Sequence, residues 1–273
     1  MHPVVEVLFQ KDKRYDLSIV VSDDDNIISE MLERISSDKT IVLTSRDKEV
    51  NVREGVIYYT YSRNLENSIY FMNFIERLVF RIFLGGYITP NMEVLLVSDY
   101  PFRFILEFNS SSMPFYRVME EISDVVDKEV MEALLKIIFE LHLEGREGKR
   151  IGTLFVVGDT EKVLESSKQL VMNPFQNQDE NIRNLLNKEN WESIKEFAQL
   201  DGAFVVDQNG RIISAGRYLI VDPQVQTTGG LGGRHLAAAS ITYTTKCVSF
   251  ALSSSGTVRI FRNGKVVLKE DLN

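Results

Sequence analysis

Apolar residues recur with two different periods along the first hundred positions. LSIVVS (17–22), TIVLTS (40–45), GVIYYTYS (55–62) and MEVLLVS (92–98) are short runs rich in β-branched and aromatic residues. Runs of that length and composition predict strands. Between them lie NIISEMLERIS and NSIYFMNFIERLVFRIFLG, with apolar residues three and four apart. That spacing gathers the apolar groups on one helix face. The alternation predicts an α/β domain with a parallel sheet over residues 1–115. DYPFRFILEFNSSSMPFYRV (99–118), with two prolines and a serine cluster, reads as a loop and a boundary.

The pattern then changes. EISDVVDKEVMEALLKIIFELHLEG (121–145) predicts one long helix stopped by Gly145. IGTLFVVGD (151–159) reads as a strand, and NPFQNQDENIRNLL and NWESIKEFAQL supply further helical pattern. The last third is β-rich: AFVV, RIIS, YLIV, CVSFALS, TVRIFR and KVVL are all strand candidates. Asn209-Gly210 and Asn263-Gly264 are hairpin signals, because both residues of such a turn need positive φ.

Composition narrows the function classes. The chain has 273 residues, 44% of them hydrophobic, and a net charge of −8. An acidic balance argues against non-specific binding to nucleic acid or to an anionic membrane. No apolar run reaches the roughly 20 residues of a membrane helix. The N-terminus lacks the features of a signal peptide. Cys247 is the single cysteine, so no intrachain disulfide forms, and the expected setting is cytoplasmic. With three histidines and one cysteine, a structural zinc site is not expected.

The candidate chemistry centres on TGGLGGRHLAAAS (228–240). Its glycines allow tight backbone and close approach of a ligand to the amides. A helix is expected to begin near Gly233, and its first N–H groups carry partial positive charge. A glycine loop feeding a helix N-terminus is a phosphate cradle. Arg234 adds a planar fork for phosphate oxygens, and His235 offers a second hydrogen bond. Alone, the stretch reads equally as a Gly-rich turn. The Walker pattern fails, since Gly148-Lys149 is followed by Arg150, and the dinucleotide pattern fails at His235.

Upstream, Asp201-Gly202-Ala203 opens a strand. Asp201 suits a metal or a ribose hydroxyl, but taken alone it reads more readily as a turn cap. Together, Asp201-Gly202-Ala203 and Arg234-His235-Leu236 resemble the DGA and RHR signatures of the diadenylate cyclase (DAC) family. EGREGKRIGTLFVVGD, NPF and SITYTTKCVSFALSSSGTVRIFRNG add to the likeness, which covers roughly residues 118–268. Leu236 departs from the second arginine of RHR, and Ser254 stands where many bacterial members carry Glu. Residues 1–115 resemble the C-terminal domain of pyruvate kinase, with a regulatory or oligomerising role.

The resemblance implies a DAC domain over 118–273 with a mixed central sheet flanked by helices. It implies condensation of two ATP into cyclic di-AMP (c-di-AMP), with release of two pyrophosphates. Each DAC domain of a face-to-face homodimer or larger homo-oligomer would hold one ATP. A divalent ion, Mn²⁺ or Mg²⁺, would screen the triphosphate. Asp201 would act as metal ligand or on the attacking 3′-hydroxyl. Arg234 and His235 would bind the triphosphate and stabilise the leaving group. Gly202, Ala203, Gly232, Gly233 and Ser253 would line the nucleotide, with Tyr218 and Leu219 near the adenine. A non-catalytic adenine-nucleotide sensor and another metal-dependent nucleotidyltransferase are the competing readings. His142 is expected to support a helix C-terminus, Cys247 and Trp191 to pack in the core, and Asp23-Asp24-Asp25 to form a solvated turn.

Overall fold

The computed structural model describes residues 13–45, 56–60, 71–99, 103–225 and 232–272, with backbone alone for 57–60 and 71–75. The glycine-rich stretch before Gly232, including Gly229 and Gly230, lies outside the described residues. The chain divides into two compact units, Met1–Met113 and Pro114–Asn273.

The first unit alternates strand and helix. Its elements are β1 (Tyr15–Val21), α1 (Asp25–Arg34), β2 (Ser37–Thr44), β3 (Val56–Thr60), α2 (Phe71–Leu84), β4 (Glu93–Ser98) and β5 (Phe104–Asn109). The sheet order is β3-β2-β1-β4-β5. The first four strands run parallel, and β5 runs antiparallel to β4. β1 is buried on both faces, as a central parallel strand must be. FILEFN, expected as loop, is therefore strand β5. An edge strand is only half-buried, so its apolar pattern is weak and the flanking prolines dominate the reading. Asp24 caps α1, accepting from Asn26 N at 2.9 Å. Its neighbour Asp23 is not solvated as expected. It is buried and accepts from Thr44 Oγ1, Ser45 N and Ser45 Oγ at 2.6–2.8 Å, tying the ends of β1 and β2 together.

The second unit contains α3 (Pro114–Glu121), α4 (Lys128–Glu144), β6 (Thr153–Val157), α5 (Thr160–Glu165), β7 (Ser167–Gln169) and α6 (Trp191–Phe197). It continues with β8 (Ala203–Val206), β9 (Ile212–Leu219), α7 (Gly233–Thr244), β10 (Val248–Leu252), β11 (Thr257–Arg262) and β12 (Lys265–Asp271). Its seven strands form one mixed sheet in the order β12-β11-β10-β6-β8-β9-β7. Only β6 and β8 pair in parallel. A mixed sheet flanked by helices agrees with the expectation.

Several local readings change. The helix expected over 121–145 begins only at Lys128; residues 122–127 form a turn, and a separate helix, α3, ends at Glu121. Ile122 and Val126 turn into the core between them, and Asp127 occupies the N-cap of α4. Gly145 ends α4 with φ +61, as expected. NPFQNQDENIRNLL forms successive turns, not a helix. Its asparagines bond to backbone: Asn173 Oδ1 accepts from Phe175 N, and Asn184 Oδ1 accepts from Leu186 N. Such local bonds compete with the helix ladder. RIIS and YLIV contribute to one strand, β9. At Asn209-Gly210 only Gly210 has positive φ, because Asp207 Oδ1 organises a longer loop by accepting from Asn209 N and Arg211 N. At Asn263-Gly264 both residues have positive φ, as a two-residue hairpin requires.

Behind the sheet, Ala238, Ala239 and Ile241 of α7 pack on Leu154, Val156, Val205 and Ala251. Small alanines let the helix lie close to the strands, which holds its N-terminus at one end of the sheet. Cys247 is buried in this cluster. Trp191 is nearly buried and donates Nε1–H to Leu185 O at 2.8 Å. His142 lies in the last turn of α4, and its Nε2 is 3.0 Å from Leu272 O.

Candidate functional site

One end of the second sheet gathers most of the singled-out residues. β6 and β8 pair Phe155 with Phe204, so continuing the register sets Gly152 beside Asp201. β10 and β6 pair Leu252 with Thr153, which sets Ser253 beside Gly152. β8 and β9 pair Ala203 with Arg217, which carries the same row on to Tyr218 and Leu219. Adjacent strands lie about 4.8 Å apart, so Asp201 stands about 10 Å from Ser253 across two strands. Residues from four separate segments thus share one edge.

At the β10 side of that edge, a cavity of about 270 Å³ opens in front of α7. Gly232 is the N-cap, with no side-chain hydrogen bond. A Cβ at Gly232 or Gly233 would meet nothing within 4 Å, so the space before the helix is open. The first-turn amides face it with the positive end of the helix dipole. Arg234, His235, Ser253, Ser254, Thr257 and Arg259 line the walls. Among the described residues no Asp or Glu lines this cavity. Two guanidiniums without a facing carboxylate, together with helix amides and hydroxyls, make an electropositive cleft suited to an anion.

Gly152 explains how Arg234 reaches the edge. A Cβ there would lie 3.1 Å from Arg234 Nη1 and 2.8 Å from Leu252 O. The missing side chain leaves the arginine its place over the sheet end. His235, by contrast, is buried. Its Nε2 lies 2.8 Å from Arg259 Nη1. A guanidinium only donates, so Nε2 accepts and the ring is neutral. Burial, then Arg259 and Arg234, push the His235 pKa below its ordinary value. This nitrogen is engaged with Arg259, so it is not the donor to phosphate expected from sequence. Ser253 Oγ accepts from Thr257 N at 3.0 Å and shares a hydrogen bond with Ser255, holding the turn after β10.

Asp201 does not line the cavity. It is exposed two strands away, and its carboxylate makes no hydrogen bond or ion pair among the described residues. Gly202 is demanded by packing: its φ is +114, and a Cβ would lie 2.6 Å from Arg217 N and from Gly216 C. Ala203 and Leu219 point into the core, each under 4% exposed, while Tyr218 between Arg217 and Leu219 is 52% exposed. Arg259, Thr257 and Gly152 were not singled out from sequence. Alternation in TVRIFR, which buries Val258 and Ile260 and leaves Arg259 on the other face, was the signal available for Arg259.

Glu140, Glu144 and Glu192 form the acidic cluster among the described residues. It is already filled by a cation. Lys195, buried to 1% exposure, reaches Glu140 at 2.8 Å and Glu144 at 3.0 Å, and also pairs with Glu192. Arg146 pairs with Glu144 and Glu192 at 3.0 and 3.1 Å. A structural ion network accounts for these carboxylates.

Part of the chain is similar to known proteins. The DAC family, described as DisA bacterial checkpoint controller nucleotide-binding, matches residues 140–266. A diadenylate cyclase of Methanocaldococcus jannaschii is 39% identical over 166 residues, 59% of this chain and 51% of that protein. A diadenylate cyclase of Haloferax volcanii is 38% identical over 151 residues, 53% of this chain and 54% of that protein. The chain spans about half the length of these relatives. The structure of DacA from Staphylococcus aureus overlaps 53% of this chain and 87% of its own, at 19% identity and a TM-score of 0.39. Among the described residues no helix is long and apolar enough to cross a membrane. Both short signatures and the sheet edge that joins them fall inside residues 140–266, the segment that matches the diadenylate cyclase (DAC) domain family.

Proposed function

We propose that this chain condenses two ATP molecules into c-di-AMP and releases two pyrophosphates. The observation that carries the reading is the carboxylate-free cleft of Arg234, Arg259 and the α7 amides, with Asp201 free on the same sheet edge. A nucleoside triphosphate is long enough to span that separation. Its phosphates lie in the cleft, its ribose lies beside Asp201, and its base lies toward exposed Tyr218. Ala203 and Leu219 support this floor from the core. Gly202 and Gly232–Gly233 keep it free of side chains.

In this arrangement the 3′-oxygen of one nucleotide attacks the α-phosphorus of the nucleotide in a second, facing copy. The P–O bond to pyrophosphate breaks, and the hydroxyl proton leaves toward Asp201. A second such step closes the ring. Positioning and charge neutralisation are the devices available. Arg234 and the helix amides hold the charge that grows on the departing pyrophosphate. Mg²⁺ or Mn²⁺ suits a single carboxylate completed by phosphate oxygens, so Asp201 fits as the protein ligand. Such an ion supplies charge neutralisation on the triphosphate. Two copies must face each other, so a homodimer or larger homo-oligomer is the working form.

The test is incubation of the purified chain with ATP and Mn²⁺, with products read by mass spectrometry. Asp201→Asn should abolish c-di-AMP formation and leave the melting temperature unchanged, since the carboxylate has no partner to lose. A linear product or simple hydrolysis would favour another nucleotidyltransferase. ATP that binds without reacting would favour a sensor, a reading to which Ser254 in place of a carboxylate lends support. Wild-type turnover in Asp201→Asn would remove Asp201 from the mechanism.

A further inference from the structure

We propose that Arg259 is a second phosphate-binding cation of this cleft and that His235 is the positioning residue that aims it. The proposal rests on reading the cleft as the triphosphate site. Arg259 sits on β11, opposite Ala251 of β10, so the rigid sheet carries it to the cleft wall. Arg234 rises from the exposed first turn of α7 on the other side. The two forks therefore close on the same space from independent elements.

The partner of Arg259 is informative. Among the described residues its one hydrogen bond is to His235 Nε2. A buried or half-buried guanidinium ordinarily faces a carboxylate, because an unpaired charge is costly to desolvate. Here the acceptor is a neutral imidazole. It fixes one N–H and orients the fork without cancelling its charge. An Asp or Glu at the same place would hold the arginine equally well and neutralise it. The remaining guanidinium donors stay available to an anion. His235 can serve in this way because Gly232 starts the helix one turn before it and its ring packs 6.2 Å from the ring of Phe261. The second residue of the RHR-like signature thus acts through a strand 24 positions away.

The experiment measures binding of inorganic tripolyphosphate by calorimetry, and KM and kcat for ATP where turnover is seen. Arg259→Met should weaken tripolyphosphate binding by roughly 10- to 100-fold, as expected for a lost charge-assisted contact. It changes a half-buried side chain and leaves the core intact. His235→Leu should produce a comparable loss, and His235→Gln, which keeps an acceptor, should recover most of it. The double variant His235→Leu with Arg259→Met should bind no more weakly than the weaker single variant, because both remove one contact. Unchanged affinity in Arg259→Met overturns the proposal. So does a wild-type chain that ignores tripolyphosphate. A double variant that loses the product of the two single effects would mean that His235 touches phosphate itself, and overturns the positioning role. Wild-type protein that binds tripolyphosphate but makes no c-di-AMP would defeat the cyclase reading and leave Arg259 in place.

Discussion

Gly202→Ala tests the sheet edge that presents Asp201. Gly202 has φ +114, and a Cβ there would meet Gly216 C and Arg217 N at 2.6 Å and Arg217 O at 2.8 Å. All three contacts are backbone of the neighbouring strand, so no side-chain rotation relieves them. Strand β9 or the Asp201 loop must shift by several tenths of an ångström. The left-handed backbone costs about 1–2 kcal/mol and the overpacking about 1–3 kcal/mol. Together these predict a loss of about 2–5 kcal/mol, which for a unit of this size lowers Tm by about 5–15 °C. The displacement reaches the adjacent Asp201. A misplacement approaching 1 Å lowers turnover about 100-fold. Thermal melting followed by circular dichroism, with c-di-AMP formation below the melting range, measures both effects. A Gly202→Ala protein with wild-type Tm and wild-type turnover would refute the claim that close strand approach requires this glycine.

Lys195→Met should destabilise the second unit by about 1–3 kcal/mol, a figure discounted because the three glutamates remain partly solvated. Hydrogen bonding from Lys195 holds the Glu144 pKa below its ordinary 4.5. That stabilisation is complete above about 4.5 and is lost as pH falls below it, so the gap between wild type and variant should narrow in acid. Denaturant titrations across pH 3–7, roughly the span of this titration, check the trend, and a gap that widens in acid would contradict it. His235 gives a second pH signature. Its folded pKa lies below 6.5, so the folded state binds fewer protons than the unfolded one. Stability should be full above about 6.5 and fall as pH drops from there toward the folded pKa, and the fall should vanish in His235→Gln. A melting temperature with the same slope in both proteins would count against the neutral ring.

Much of this protein was legible along the chain. Period-2 and period-3.6 patterns placed β1, β2, β4, β6, β10, β11 and most of the helices, because those elements bury one face or both. The two signatures, at a strand start and a helix start, lie at the same end of the second sheet. Elements with weak burial were lost. β5 is a half-exposed edge strand, and the turns after Asn173 depend on asparagine side chains that choose backbone partners only in the folded chain. Arg259 was missed for a different reason, since alternation marks its face but not its partner. An arginine on an alternating strand reads as a solvated charge until the fold brings His235 to it.

The local sequence alone determined where helices and strands form, that the chain is acidic and lacks disulfides, and that a phosphate-suited helix start exists. The tertiary structure decided which charges face one another. Register carried Ser253, Gly152, Asp201 and Leu219 onto one row, strand order set Arg259 beside α7, and Lys195 filled the acidic cluster. Hydrophobic periodicity is a local property read over a few residues. Electrostatic partnership acts through space between segments far apart in sequence, so it exists only once the core has packed.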